Sequence, residues 1–250
     1  MPPRIAIPLP HSSDRDYAER AVPQYERVVE QAGGEPVRIP LDETPEKLMK
    51  IIETCDAVLL PGSKADVDPA KFHAPRSQQT AAADVPRNTV DELLLRDAYR
   101  HRKPVLGICY GLQSLNVFRA GSLIQHIPDF LPEETRAKVN HEAGKKVAVA
   151  HNVEITSDSK LAKIVAAETR SPKSEVRGPL TLPVNSSHHQ SADAIGNGLR
   201  IAARCPAVSG RDNDGDALCR RLLPQPRSLC RPALPGFPRQ RLRPSSRWWC

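Results

Sequence analysis

Two stretches carry side chains whose type and spacing could do chemistry. Gly107-Ile108-Cys109-Tyr110-Gly111-Leu112-Gln113 sets one cysteine between two glycines, and Ser186-Ser187-His188-His189-Gln190 offers paired imidazoles. A cysteine attacks as its thiolate. At a helix N-terminus the free backbone N–H groups and the helix dipole favour the anion and lower the thiol pKa from its free value of about 8.5. The same amides can hold an oxyanion. The bland alternative is a small buried hydrophobe, the usual fate of a free cysteine. A thiol attacking an amide at neutral pH also needs a base for its proton and an acid for the leaving amine, work that a histidine oriented by a carboxylate can do.

The elements around Cys109 favour the nucleophilic reading. Arg4–Pro10 reads as a buried strand, Tyr17–Ala32 as an amphipathic helix ended by Gly33-Gly34, and Glu35–Pro40 as a second strand. Pro45–Thr54 follows as a short helix capped by Thr44, then Asp56–Leu60 as a third strand cut off by Pro61-Gly62. Ser63–Arg87 is polar and longer than most connections, which marks it as a functional loop. Asn88–Arg102 has helical spacing, Val105–Ile108 reads as a strand, and Tyr110–Arg119 as a helix. This alternation predicts an α/β domain, doubly wound, with a mostly parallel central sheet and helices on both faces. Cys109 then sits at a strand's carboxyl end, in the crevice where open α/β sheets bind ligands. Later elements are expected at Gly121–Gln125, Lys145–Ala150, Val153–Thr156, Lys160–Ala167, Thr181–Asn185 and Leu199–Cys205.

Composition narrows the function classes. The chain of 250 residues has no apolar run of membrane-spanning length and no secretory leader pattern, so a cytoplasmic protein without a membrane partner is expected. Its six cysteines include no CxxC pair, and its histidines lack ligand spacing along the chain, so neither a metal site nor a disulfide framework is expected. GICYGLQ is not a dinucleotide fingerprint, so no cofactor is expected either. The net charge of +7 is confined to Asp216–Cys250, where eight arginines face one aspartate; the preceding residues hold 28 basic and 28 acidic groups.

The elbow resembles that of the class I glutamine amidotransferase superfamily, G-x-C-x-G-x-Q, matched by Gly107, Cys109, Gly111 and Gln113. More of the chain resembles the stand-alone γ-glutamyl-γ-aminobutyrate hydrolase or peptidase C26 type. The matching stretches are Leu59–Phe72, Asp91–Asp129 and Val184–Ala203, with likeness spanning roughly residues 4 to 215. The resemblance implies a flavodoxin-like fold and a small-molecule γ-glutamyl amide as substrate. It makes Cys109 the nucleophile of a thioester mechanism. The backbone N–H groups of Tyr110 and Gly62 become the oxyanion hole. Ser63, Gln113, His188, His189 and Gln190 lie on the substrate side. For Gly62 the competing role is an ordinary turn residue, for Gln113 a polar helix position, and for the histidines a solvated loop.

In that superfamily the proton-transfer His and Glu come from a late strand ending in a W-H-P-E-like motif. Here the last histidine is His189 and the last glutamate Glu175. Residues 1–215 are therefore expected to form the hydrolase domain with its last strand or strands missing, and 216–250 an Arg, Pro and Cys-rich tail outside the family fold. A shifted reading frame explains the coincidence of lost likeness and jump in charge most economically; a basic nucleic-acid-binding tail is the alternative. An impaired or inactive γ-glutamyl hydrolase is the leading expectation. A non-catalytic remnant that binds γ-glutamyl compounds is the rival, and a glutaminase subunit of an amidotransferase the third reading. The amine of the substrate and the oligomeric state are not legible.

Overall fold

The computed structural model describes residues 1–136, 141–142, 147–168 and 180–205. Its centre is a parallel sheet built from β1 (Arg4–Pro8), β2 (Glu35–Ile39), β3 (Ala57–Leu60) and β4 (Val105–Gly107), in the order β2-β1-β3-β4. Parallel neighbours need crossovers. These are α1 (Arg15–Gln31), α2 (Pro45–Ile52) and α3 (Val85–His101), while α4 (Tyr110–Phe118) leaves the end of β4.

Alternation along the strands sends side chains to both faces. Ile5, Ile7 and Leu59 pack with Tyr25 and Val29 of α1. Ala6, Val58, Leu60 and Val105 pack on the other side with Leu48 and Ile52 of α2, Leu94 and Leu95 of α3, and Leu115 of α4. With both faces covered, the inner strands β1 and β3 carry continuous apolar runs, Ile5-Ala6-Ile7 and Ala57–Leu60, rather than alternating ones. The doubly wound α/β expectation holds.

Capping residues set the helix starts. The Asp14 side chain accepts from the Tyr17 N–H at 3.0 Å, so α1 begins two residues before the expected Tyr17. Asp84 accepts from the Arg87 N–H at 3.1 Å, with Pro86 in the first turn where a missing donor costs nothing. The long loop is accordingly shorter than expected: α3 takes its last residues from Val85 on, and Pro69–Phe72 forms one turn of 3-10 helix within it.

The remainder is antiparallel. After α4 come β5 (Leu123–Ile124), α5 (Ile127–Phe130), α6 (Glu133–Arg136), β6 (His151–Ile155), α7 (Lys160–Glu168), β7 (Leu180–Val184), β8 (Ser191–Ala192) and β9 (Ala203–Arg204). β6 lies between β7 and β9, and β5 pairs with β8. The expected strand at Leu199–Cys205 shrinks to two residues, Ala203 and Arg204, which pair with Ile155 and Glu154 of β6. Of the expected strand at Lys145–Ala150, residues 147–150 are not extended ladder and the rest lies outside the described residues. The expected loss of the last strand and the separate tail, 216–250, also fall outside them.

Candidate active site

Cys109 is the N-cap of α4, with φ 52° and ψ −111°. A positive φ at a residue with a Cβ costs on the order of 1–3 kcal/mol and persists only where surrounding packing imposes it. The packing is visible at the flanking glycines. A Cβ on Gly111 would stand 2.2 Å from the Leu60 carbonyl oxygen, and one on Gly107 would stand 2.7 Å from the backbone of Gly111 and Leu112. The elbow is thus wedged against β3, and only glycine lets the turn close.

Gly62 lies directly across from the elbow. A Cβ there would be 3.7 Å from the Cys109 Cβ and 3.4 Å from the Tyr25 hydroxyl. Its N–H donates to that hydroxyl at 3.2 Å. Ser63, next in the chain, uses its Oγ to accept from the Ala65 N–H at 3.1 Å, which tightens the turn.

Beneath the two loops lies Arg87, a fully buried cation. Its guanidinium donates to the carbonyls of Pro61 at 2.8 Å and Pro10 at 3.2 Å, and pairs with Asp91 at 2.7 Å. It also lies 4.9 Å from the centroid of the Tyr110 ring. Tyr110 in turn donates its hydroxyl to Asn88 Oδ1 at 2.7 Å. One side chain therefore holds the turn before Gly62, the end of β1 and the residue after Cys109.

The thiol reaches solvent, yet protein crowds it on most sides. That crowding pushes its pKa up; the Tyr110 N–H pulls the other way, and the nearby Asp66 carboxylate adds to the rise. The expectation that the helix N-terminus leaves a depressed pKa is overturned here, because desolvation outweighs one favourable amide. Tyr17, also on α1, is pushed up to about 12, first by burial and then by the neighbouring Tyr25 and Cys109.

The two histidines face different partners. The His188 Nδ1 lies 3.0 Å from the Gln190 carbonyl, while the His189 Nε2 lies 3.0 Å from Asp66 Oδ1. Asp66 raises the His189 pKa by this hydrogen bond, against the lowering effect of burial. The other Asp66 oxygen accepts from the Ala81 N–H at 2.7 Å, and the His189 Nδ1 meets the His126 Nδ1 at 3.3 Å. Gln113 reaches the same segment, donating to the Gln190 carbonyl at 3.1 Å. The Gln190 side chain is 1% exposed, and neither its Oε1 nor its Nε2 has a hydrogen-bond partner among the described residues.

The structure thus brings Cys109, Tyr110 and Gly62 together and ties the SSHHQ segment in through Gln113 and Asp66. Among the described residues no hydrogen bond joins either histidine to Cys109. Sequence reasoning missed Asp66, Arg87, Tyr25 and Tyr17. Asp66 lies within the matching stretch Leu59–Phe72 but had no role assigned; Arg87 stood at the end of the polar loop read as functional, without a role of its own. Two surface clefts of about 550 and 470 Å³ lie elsewhere, one beside Cys55 and His101 and one between α1 and Arg38, and neither includes Cys109. Among the described residues no helix is long and apolar enough to cross a membrane.

Comparison with known proteins gives three results of use. A family model described as Peptidase C26 matches residues 6–210. A glutamine amidotransferase-like protein of Rickettsia prowazekii is 27% identical, with 69% of this chain and 69% of that protein aligned. Gamma-glutamyl-gamma-aminobutyrate hydrolase PuuD of Escherichia coli is 28% identical, over 73% of this chain and 68% of its own.

Proposed function

The chain belongs to the peptidase C26 family, and from that premise we propose that its ancestral reaction is hydrolysis of a γ-glutamyl amide through a thioester on Cys109. The observation that carries this reading is the strained Cys109 at the head of α4 with the Gly62 backbone opposite it. The Cys109 sulfur attacks the amide carbonyl, the oxyanion is received by the N–H groups of Tyr110 and Gly62, and the C–N bond breaks as the amine takes up a proton. Water then cleaves the thioester, releasing glutamate and restoring the thiol. Gln113, Ser63, His188, His189 and Gln190 form the substrate side in this reading.

Proton transfer is the weak step. A thiol pushed above its ordinary pKa stays protonated at neutral pH unless a base removes its proton. The pair His189–Asp66 is joined as a histidine and its orienting carboxylate are, which makes it the described pair best suited to substitute, although the Asp66 charge itself raises the thiol pKa. Turnover is accordingly slow, and the same observation favours the second reading, a protein that binds γ-glutamyl compounds without cleaving them.

Labelling separates the two. The full chain is treated with an electrophilic glutamine analogue and the modified residue is identified by mass spectrometry. Saturable modification of Cys109 much faster than that of a simple thiol, abolished by Cys109→Ala, supports the hydrolase reading. Labelling no faster than a simple thiol, with γ-glutamyl compounds still binding, leaves the binding protein.

We further propose that 216–250 lies outside the family fold. The family match stops at residue 210, and the whole excess of +7 lies beyond Gly215. The coding DNA is the test: a family-like continuation with a W-H-P-E-like motif in another frame supports a frame shift, and its absence there removes that explanation.

A further inference from the structure

Two histidines and a cysteine, remote in sequence, converge beside the antiparallel sheet. His141, His151 at the start of β6, and Cys205 just past β9 are 3, 8 and 1% exposed. One donor atom from each lies within 4.8 Å of the others. The His141 and His151 rings are 4.6 Å apart between centroids.

The polarity of His151 is set by its neighbour. Its Nδ1 lies 3.1 Å from the Asn152 carbonyl oxygen, so Nδ1 carries the proton and donates. Nε2 is then a bare lone pair, buried and with no hydrogen-bond partner among the described residues. A buried imidazole nitrogen without a partner is costly. Holding one ring nitrogen on a backbone carbonyl while the other faces inward is how proteins orient a histidine toward a metal.

We propose that His141, His151 and Cys205 bind a transition-metal cation of the zinc class. Two imidazoles and a thiolate are donors that zinc prefers, with bonds of about 2.0 and 2.3 Å that place tetrahedral donors roughly 3.5 Å apart. Small side-chain rotations bring the three atoms from their present spacing to that one. Binding replaces the Cys205 S–H bond by a sulfur–metal bond and releases the proton to solvent. Water fills the fourth position.

The metal would also organise the SSHHQ segment. The His188 N–H donates to the His141 carbonyl at 2.9 Å, and the two rings lie 5.2 Å apart. Holding His141 therefore holds the chain that carries His189 and Gln190. This proposal does not depend on the chemistry of Cys109.

The test uses the full chain, stripped with a chelator and titrated with zinc and with cobalt(II). The expected result is one tightly held equivalent, a thiolate-to-cobalt charge-transfer band in the near ultraviolet, and a melting temperature lowered by chelator and restored by zinc. Cys109→Ser keeps the band. Cys205→His keeps the equivalent and loses the band, and His151→Ala loses the equivalent. Equal stoichiometry and an equal band in wild type and Cys205→His overturn the proposal, since the metal then sits on other cysteines such as those of the tail. No retained equivalent in the wild type overturns it as well, whatever the variants do.

Discussion

The Gly62 N–H is hydrogen-bonded to the Tyr25 hydroxyl at 3.2 Å. The amide proposed to receive the oxyanion is therefore occupied at rest by a phenol from α1, and substrate must displace it. Tyr25→Phe removes the competitor. A hydrogen bond of this kind is worth about 0.5–1.5 kcal/mol net, so labelling of Cys109 by an electrophilic glutamine analogue is expected to accelerate several-fold, up to roughly tenfold. The same variant lowers stability by about 1 kcal/mol in urea. Slower labelling in a folded Tyr25→Phe protein would show that the phenol assists the reaction instead.

The left-handed backbone at Cys109 makes a second prediction. Cys109→Gly relieves the φ 52° conformation at some entropic cost in the unfolded chain, and is expected to stabilise the fold by about 1 kcal/mol while abolishing labelling. Cys109→Ala keeps the Cβ and therefore the strain, so its unfolding midpoint stays near wild type. Equal midpoints for the glycine and alanine variants would mean that the turn stores no strain.

Arg87 and Asp91 are both wholly buried, so cutting one out leaves an unpaired charge in the core. Arg87→Leu is expected to cost about 3–5 kcal/mol, and the double variant Arg87→Leu/Asp91→Leu to recover much of it. The double variant still lacks the donors to Pro61 and Pro10, so its Cys109 labelling stays slow even where its stability returns. Denaturant titration and labelling rates, read side by side, separate the two effects.

His189 predicts a pH dependence. Its folded pKa lies above the ordinary 6.5, raised chiefly by the Asp66 hydrogen bond. Folding thus favours the protonated ring. The stabilisation is full below about pH 6.5, declines as pH rises through the raised folded value, and is absent above it. Asp66→Asn can still accept from the Ala81 N–H but removes the charge, and it should flatten the urea midpoint across that window. An unchanged pH profile in the variant would assign the dependence to another group.

The parallel half of the fold was legible because each strand and helix there carries its own signal: apolar runs, Thr44 as a cap, Gly33-Gly34 as a stop. The errors fall where a partner decides the outcome. Leu199–Cys205 has strand composition, but only Ala203 and Arg204 find ladder partners, at Ile155 and Glu154 of β6. The strained turn at Cys109 was legible from its glycines, whereas the thiol's pKa was not, since desolvation depends on which chains crowd it. Arg87 was invisible for a related reason. An arginine at a helix start is normally solvated, and here its burial rests on carbonyls from Pro10 and Pro61, delivered by two other strands. The cluster of His141, His151 and Cys205 is likewise assembled by antiparallel pairing, so spacing along the chain could not reveal it.

The wedge of Gly111 under Leu60 has a consequence for biosynthesis. Whereas Gln113 reaches forward to the Gln190 carbonyl, the contacts described for Cys109, Tyr110 and Gly111, from Leu60, Gly62, Arg87 and Asn88, are made by residues that precede them in the chain. A ribosome that has just released α4 has already delivered them all. Domains form from the N-terminus during synthesis. The strained thiol can thus be set before His189 leaves the exit tunnel, and changes in the distal coding region can alter proton handling while leaving the nucleophile's setting intact.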